Sequence, residues 1–180
     1  VLTEPEHFGG SLDFLVRVRR NVTLPILMKD IIISPIQLDA AAKLGVNDVL
    51  LVQTIFDRGC CEVDVHKMIE YAQSKNLEVL LESHTEDEFS EAVKSNAELV
   101  GINNRDLKTL KVDLNVSKKI LEKVECKGKI VVSESGIRNS DDVRFLHSCG
   151  AKAFLVGSAV MASTNVYEKV REIVFSYENR

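Results

Sequence analysis

The 180-residue chain has no tryptophan, only three prolines and four cysteines, and no apolar run near the roughly 20 residues that a bilayer-spanning helix needs. Each shortage removes a class of protein. Three prolines and nine glycines are too few for a collagen-like or low-complexity chain. Cys60, Cys61, Cys126 and Cys149 lack the paired C-x-x-C spacing of a tetrahedral zinc site, so they read as reduced structural thiols and no metal is expected. Lys and Arg are outnumbered, 23 against 27 Asp and Glu, and are nowhere clustered, which argues against a nucleic-acid partner. An anionic ligand would therefore have to be met by local chemistry. Val1 to Ser11 shows no basic stretch followed by an apolar one. The expected setting is cytoplasmic, away from membranes.

With 45% apolar and 28% charged residues, the composition supports one well-packed core, and no compositional break divides it. A single domain over residues 1–180 is expected. Short runs rich in Val, Ile and Leu recur at 25–28, 48–52, 78–81, 99–102, 130–132 and 153–156, each followed by an amphipathic stretch. The runs are continuously apolar, as strands buried on both faces of a parallel sheet are. Helix starts are marked by Ser34-Pro35, by Thr85-Glu86-Asp87-Glu88 in the pattern of a capping box, and by Ser140-Asp141-Asp142. Gly45 and Gly150 mark ends.

Strand ends placed at Lys29, Leu51, Glu82, Asn103, Glu134 and Gly157 recur every 21 to 31 residues. With Val1-Leu2-Thr3 as the tail of an earlier strand, seven strands are counted. Regular βα units of this size favour a (β/α)8 TIM barrel, and the small-residue loops after its last two strands make it one of the phosphate-binding type. A doubly wound sheet is the architectural runner-up, but neither G-x-G-x-x-G nor a Walker motif is present.

In such a barrel, chemistry gathers where strands end. Lys29, Glu82, Asn103 and Glu134 each terminate an apolar run and would point into one mouth. Any one of them could be an ordinary first solvated loop position. Together, a lysine between two carboxylates offers a proton donor, a proton acceptor and a charge partner, as general acid–base catalysis requires. Ser135-Gly136 and Gly157-Ser158 follow the last two strands, where small residues let backbone N–H groups approach an anion. Either pair alone could be only a turn.

Leu27-Met28-Lys29-Asp30 with Gln37, Leu50-Leu51, Leu81-Glu82 with His84, Gly101-Ile102-Asn103-Asn104-Arg105-Asp106-Leu107, Ser133-Glu134-Ser135-Gly136-Ile137 and Val156-Gly157-Ser158 resemble, in order and spacing, the indole-3-glycerol-phosphate synthase family. The resemblance implies a cofactor-free carboxy-lyase of tryptophan biosynthesis. It would convert a sugar-phosphate substrate, 1-(2-carboxyphenylamino)-1-deoxyribulose 5-phosphate, to indole-3-glycerol phosphate by ring closure, decarboxylation and dehydration. By the same resemblance Lys29 is the general acid, Glu82 the base, Asn103 a partner of sugar hydroxyls, and Glu134 a carboxylate that positions lysine and substrate. Ser135, Gly136, Gly157 and Ser158 would hold the phosphate. Phe8 and Leu50 would line an apolar pocket for the anthranilate ring, although both also fit plain packing roles. Arg105 could hold an anionic group or pair locally with Asp106.

Two departures accompany the match. Ile31 stands where the family usually carries phenylalanine, and nothing in the chain matches the family's N-terminal extension or its first strand with a Glu-x-Lys motif. The expected architecture is thus strands two to eight of a barrel, with open edges through which the chain could associate, whereas a complete enzyme would be a monomer. Two other functions fit parts of the pattern. A phosphosugar isomerase or aldolase would share the phosphate loops, and an inactive shortened barrel could serve as a binding partner.

Overall fold

A computed structural model describes residues 1–177. Helix α1 (Leu12–Asn21) leads into strand β1 (Leu27–Met28) and helix α2 (Pro35–Lys43). Next come β2 (Asp48–Val52), α3 (Gln53–Asp57), α4 (Val65–Ser74), β3 (Glu78–Ser83), α5 (Glu86–Lys94) and β4 (Leu99–Asn103). The chain continues through α6 (Asn115–Leu121), β5 (Ile130–Glu134), α7 (Ser140–Ser148), β6 (Ala153–Leu155), α8 (Ser158–Met161) and α9 (Val166–Val174), with a 3-10 turn at Phe175–Tyr177.

The six strands are all parallel and lie in chain order, each beside its successor, so every crossover runs the same way round a curling sheet. Val1–Thr3 occupies the seventh strand position, but only as a single parallel bridge, Leu2 to Lys29. Its hydrogen bonds are Thr3 N to the Lys29 carbonyl, 3.0 Å, and Lys29 N to the Val1 carbonyl, 2.8 Å. These hold the Lys29 backbone through both its amide and its carbonyl.

Residue parity explains why the runs look uniformly apolar. Met28, Val49, Leu51, Val79, Leu81, Val100, Ile102 and Val131 face outward and meet Leu15, Leu38, Met68, Ile69 and Phe89 from the helices, all buried. The alternate residues Leu50, Val52, Leu80 and Val132 face inward and form a second buried cluster with Leu27, Leu99, Ala153 and Leu155. Each strand thus needs apolar side chains on both faces. Leu81 is fully buried among such neighbours, and truncating it to alanine should cost about 2–5 kcal/mol.

Local chemistry sets the helix boundaries. At α2 the expected cap is complete: the Ser34 hydroxyl accepts from Ile36 N, Gln37 Oε1 returns to Ser34 N at 3.1 Å, and Pro35 opens the first turn. Gln37 also accepts from Ile33 N and donates to the Ile31 carbonyl, which fixes the loop directly after Lys29. Two expected caps need correction. Asn139, not Ser140, caps α7, by accepting from Asp142 N. Thr85 caps α5, yet Glu88 does not close the box, because its carboxylate binds His84 N and the Thr54 hydroxyl instead. Strand ends also shift slightly: β2 runs on to Val52, β3 to Ser83, and β6 stops at Leu155.

Candidate active site

Inward parity is what brings the charged strand ends together. Glu82 follows Leu80, Glu134 follows Val132 and Lys29 follows Leu27 on the inner face, one step past the apolar plug. Lys29 Nζ lies 3.2 Å from Glu82 Oε2 and 3.7 Å from Glu134 Oε2. The carboxylates are almost wholly buried, whereas the lysine side chain keeps 28% of its exposure. A buried pair of acids thus faces the cleft through one cation.

Gly101 makes this geometry possible. It pairs with Glu82 in the β3–β4 register, and a Cβ at this position would overlap Glu134 Oε1. The missing side chain is the space in which the Glu134 carboxyl lies beside Glu82. One lysine cannot keep two adjacent buried carboxylates ionised. For Glu82 burial is the largest influence and would raise its pKa, but Lys29, Glu134, His84 and Asn103 together bring it below the ordinary glutamate value. For Glu134 burial and then the Glu82 charge push it well above, against the weaker pull of Lys29. Of the two, Glu134 is thus the acid shifted toward its neutral form and Glu82 the one shifted toward its ionised form.

Asn104 holds this end of the sheet in register. Its side-chain NH2 donates to Ser133 Oγ, the Glu134 carbonyl and the Ser135 carbonyl, and its oxygen accepts from the amide and hydroxyl of Ser117 in α6. Every polar atom in this buried network is satisfied, which fixes the turn that follows Glu134. There Ser135 and Gly136 take successive left-handed conformations, φ 64° and 87°. A side chain at Gly136 would also strike Val112 and Leu114.

Lys29, Glu134, Phe8, Arg105, Ser135, Gly136, Gly157 and Ser158 line one open cleft of about 1230 Å³. Phe8 is half exposed at its rim, on a loop tied down by the Glu4 carboxylate, which accepts from the amides of Glu6, His7 and Phe8. Gly157 is the N-cap of the short helix α8. Arg105 donates to the Leu110 carbonyl, while Asp106 accepts from the Lys108 and Thr109 amides and so is engaged in its own turn. Three expected site residues lie deeper. Glu82 and Asn103 are buried, Asn103 accepting from Arg105 N, and Leu50 belongs to the inner apolar plug. The packing role anticipated for Leu50 describes its position.

Sequence reasoning assigned no role to Gly101, Asn104, His84 or Thr54, and gave Glu88 only a capping role. The signal for His84 was present: it shares inward parity with Glu82 two residues earlier. Among the described residues no cluster of three or more His, Cys, Asp or Glu could hold a metal ion, and no helix is long and apolar enough to cross a membrane.

A curled, all-parallel sheet wrapped by helices, with polar residues at its carboxyl ends and small-residue loops after the last two strands, defines an α/β barrel of the TIM type. Solved structures of the same fold include the N-acetylmannosamine-6-phosphate 2-epimerase of Clostridium perfringens, with a TM-score of 0.66 at 14% identity over 92% of this chain and 74% of that one. A FabK mutant from Thermotoga maritima gives 0.64 at 14% identity, covering 90% and 52%. At that identity they show the fold alone. A family profile described as "Indole-3-glycerol phosphate synthase" matches residues 1–173. Curated proteins of that name are 42% identical in Methanocaldococcus jannaschii, 38% in Lachnospira eligens and 35% in Desulforamulus reducens, over 95–97% of this chain. The chain belongs to the indole-3-glycerol phosphate synthase family. It spans 62–64% of the length of these relatives.

Proposed function

We propose that the protein carrying this chain is an indole-3-glycerol-phosphate synthase, cyclising 1-(2-carboxyphenylamino)-1-deoxyribulose 5-phosphate with loss of carbon dioxide and water. The observation that carries the reading is the Lys29 ammonium held at 3.2 Å from Glu82 and 3.7 Å from Glu134 at the floor of the cleft.

The reaction needs an acid and a base in turn. As the ring carbon bearing the carboxylate attacks the ribulose ketone, the carbonyl oxygen gains charge and takes a proton, which Lys29 is placed to give. Loss of carbon dioxide from that carbon restores the aromatic ring. Dehydration then removes the new hydroxyl and a proton from the neighbouring CH2, and Glu82, kept ionised, is the acceptor. Glu134, kept neutral, is a proton store beside Lys29. Removal of water from this cleft by bound substrate would strengthen each of these electrostatic effects.

The phosphate is assigned to Ser135-Gly136 and Gly157-Ser158, small residues that line the same cleft as Lys29 and leave room for backbone amides to meet an anion. Phe8 at the rim is the candidate contact for the anthranilate ring, with Asn103 and Arg105 reserved for hydroxyl and anionic groups. No cofactor enters any step.

The test is an assay of the natural protein with the carboxyphenylamino-deoxyribulose phosphate, followed by indole fluorescence and carbon dioxide release. Turnover that Lys29→Ala abolishes supports the assignment. Undiminished turnover in that variant, or phosphosugar interconversion without carbon dioxide, overturns it.

A further inference from the structure

Beside Glu82, just past the carboxyl end of β3 and outside the residues that line the cleft, lies a second set of polar groups that the proposed reaction does not use. His84 is nearly buried, its side chain 10% exposed. Its Nε2 is 3.3 Å from Glu82 Oε1, the carboxylate oxygen that Lys29 leaves open, and makes no aligned hydrogen bond of its own. Its Nδ1 is 3.4 Å from Thr54 Oγ1 and 3.8 Å from Glu88 Oε2. Glu88 in turn is pinned by two donors, the Thr54 hydroxyl at 2.7 Å and the His84 backbone amide at 2.6 Å, with the imidazole beside it. This is the bond pattern that leaves the α5 capping box open. The carboxylate that should have capped the helix has been diverted to hold a histidine.

We propose that His84 is a positioning residue for Glu82, placing Nε2 beside the carboxylate oxygen that Lys29 does not bond and being held in place by Glu88 and Thr54, so that Glu82 stays ionised and oriented toward the cleft. The inference deepens the reading of Glu82 as the base and rests on it. A buried carboxylate with partners on one side only would tend to take up a proton or rotate. With Lys29 bonded to Oε2 and the imidazole 3.3 Å from Oε1, each oxygen faces a polar group, which is how ligand-holding and catalytic groups are commonly supported from outside the site. The charged and titratable groups facing this assembly are Lys29 from the end of β1, Glu134 from β5, Glu88 from α5 and Glu82 itself, with Asn103 of β4 and Thr54 of α3 as neutral partners. Glu88 lies at about 2: burial would raise it, but hydrogen bonds from His84 and Thr54 outweigh that. It therefore remains a fixed anion while Glu82 titrates.

The experiment compares wild type, His84→Ala, His84→Gln and Glu88→Gln in the natural protein. Glutamine can place an amide N–H near the position of Nε2, so it supplies the donor without the ring. Two readouts are taken: the acid limb of kcat/KM against pH, and the carboxyl titration of Glu82 by carbon-13 NMR, with Glu82→Gln used for assignment. In His84→Ala the limb and the carboxyl titration should both move up by about one pH unit, so that kcat falls about tenfold below the limb while KM changes less than about twofold. His84→Gln should return most of that shift, and Glu88→Gln should show a smaller displacement in the same direction. A lower melting temperature with an unmoved acid limb and unmoved Glu82 titration overturns the proposal. So does a loss in His84→Ala that is equal at every pH. Should the wild type fail to turn over the substrate, the proposed function falls, yet the Glu82 titration still decides the role of His84.

Discussion

The two ends of the curled sheet both crowd carboxyl groups, and they treat them in opposite ways. At the carboxyl end, Glu82 and Glu134 share Lys29, and one acid is shifted toward its ionised form while the other is shifted toward its neutral form. At the amino end, Asp48 pairs in register with Glu78 and lies near Glu98, and the charges acting on it are both negative. Burial and then those anions push Asp48 up to about 6. The same strand ladder thus carries a compensated acid pair where chemistry is proposed and an uncompensated group where none is. What separates the proposed active mouth from the rim is one cation placed between the acids.

The largest test of that contrast removes the cation. Lys29→Ala should lower kcat by about 10²–10⁴-fold, with substrate affinity changing far less, as read by indole fluorescence and by binding of a product analogue. A variant that lost binding and kept kcat would make Lys29 a substrate anchor and not an acid.

Next comes the difference between the two mouth carboxyls. Glu82→Gln strips Lys29 of its ionised partner and should cost about 2–3 kcal/mol of unfolding free energy at pH 7, discounted for the lysine's partial exposure. Glu134→Gln mimics the neutral acid already present and should stay within about 1 kcal/mol of wild type. Denaturant titrations in which Glu134→Gln proved the more damaging would reverse the assignment of charge.

Gly101→Ala probes the space between them. The added methyl overlaps the Glu134 carboxyl, so a loss of about 1–3 kcal/mol is expected, together with reduced kcat. Adding Glu134→Ala to Gly101→Ala should recover part of the stability, and no recovery would mean that the glycine serves another contact.

The smallest effect belongs to the rim. Because Asp48 binds its proton more tightly when folded than when unfolded, its contribution is most favourable with the proton on and is lost as pH rises from about 4 through about 6. Asp48→Asn carries no charge at any pH. It should therefore melt higher than wild type above pH 6, by roughly 2–4 °C if solvent screening leaves about 1 kcal/mol. The advantage should vanish below pH 4, and a gain that persisted there would point to a cause other than titration.

Much of the mouth could be read in advance because its signals are local. A polar residue ending a run of apolar ones, repeated at βα intervals, places Lys29, Glu82, Asn103 and Glu134 at one end of the sheet, and all four are there. The Ser34-Pro35 cap was legible for the same reason, since its partner lies within two residues; that Gln37 closes it emerged from the structure. The α5 cap was misread because a tertiary competitor intervened: Thr54, 34 residues away, and the His84 amide claim Glu88. Leu50 was ambiguous between pocket and core because parity says only that it faces inward. How deep it lies depends on the stagger of neighbouring strands.

The sequence alone determined which residues alternate between the two faces of each strand, where helices begin, and which small residues follow the last strands, because propensity, capping and period act over a few positions. Only the tertiary structure decided the state of the charges. Lys29 reaches Glu82 across 53 residues of chain, and Glu134 lies over a gap left by Gly101 on another strand. Whether a carboxyl in that place is ionised depends on burial and on distances of a few ångströms between elements far apart in the chain, and no local pattern encodes those.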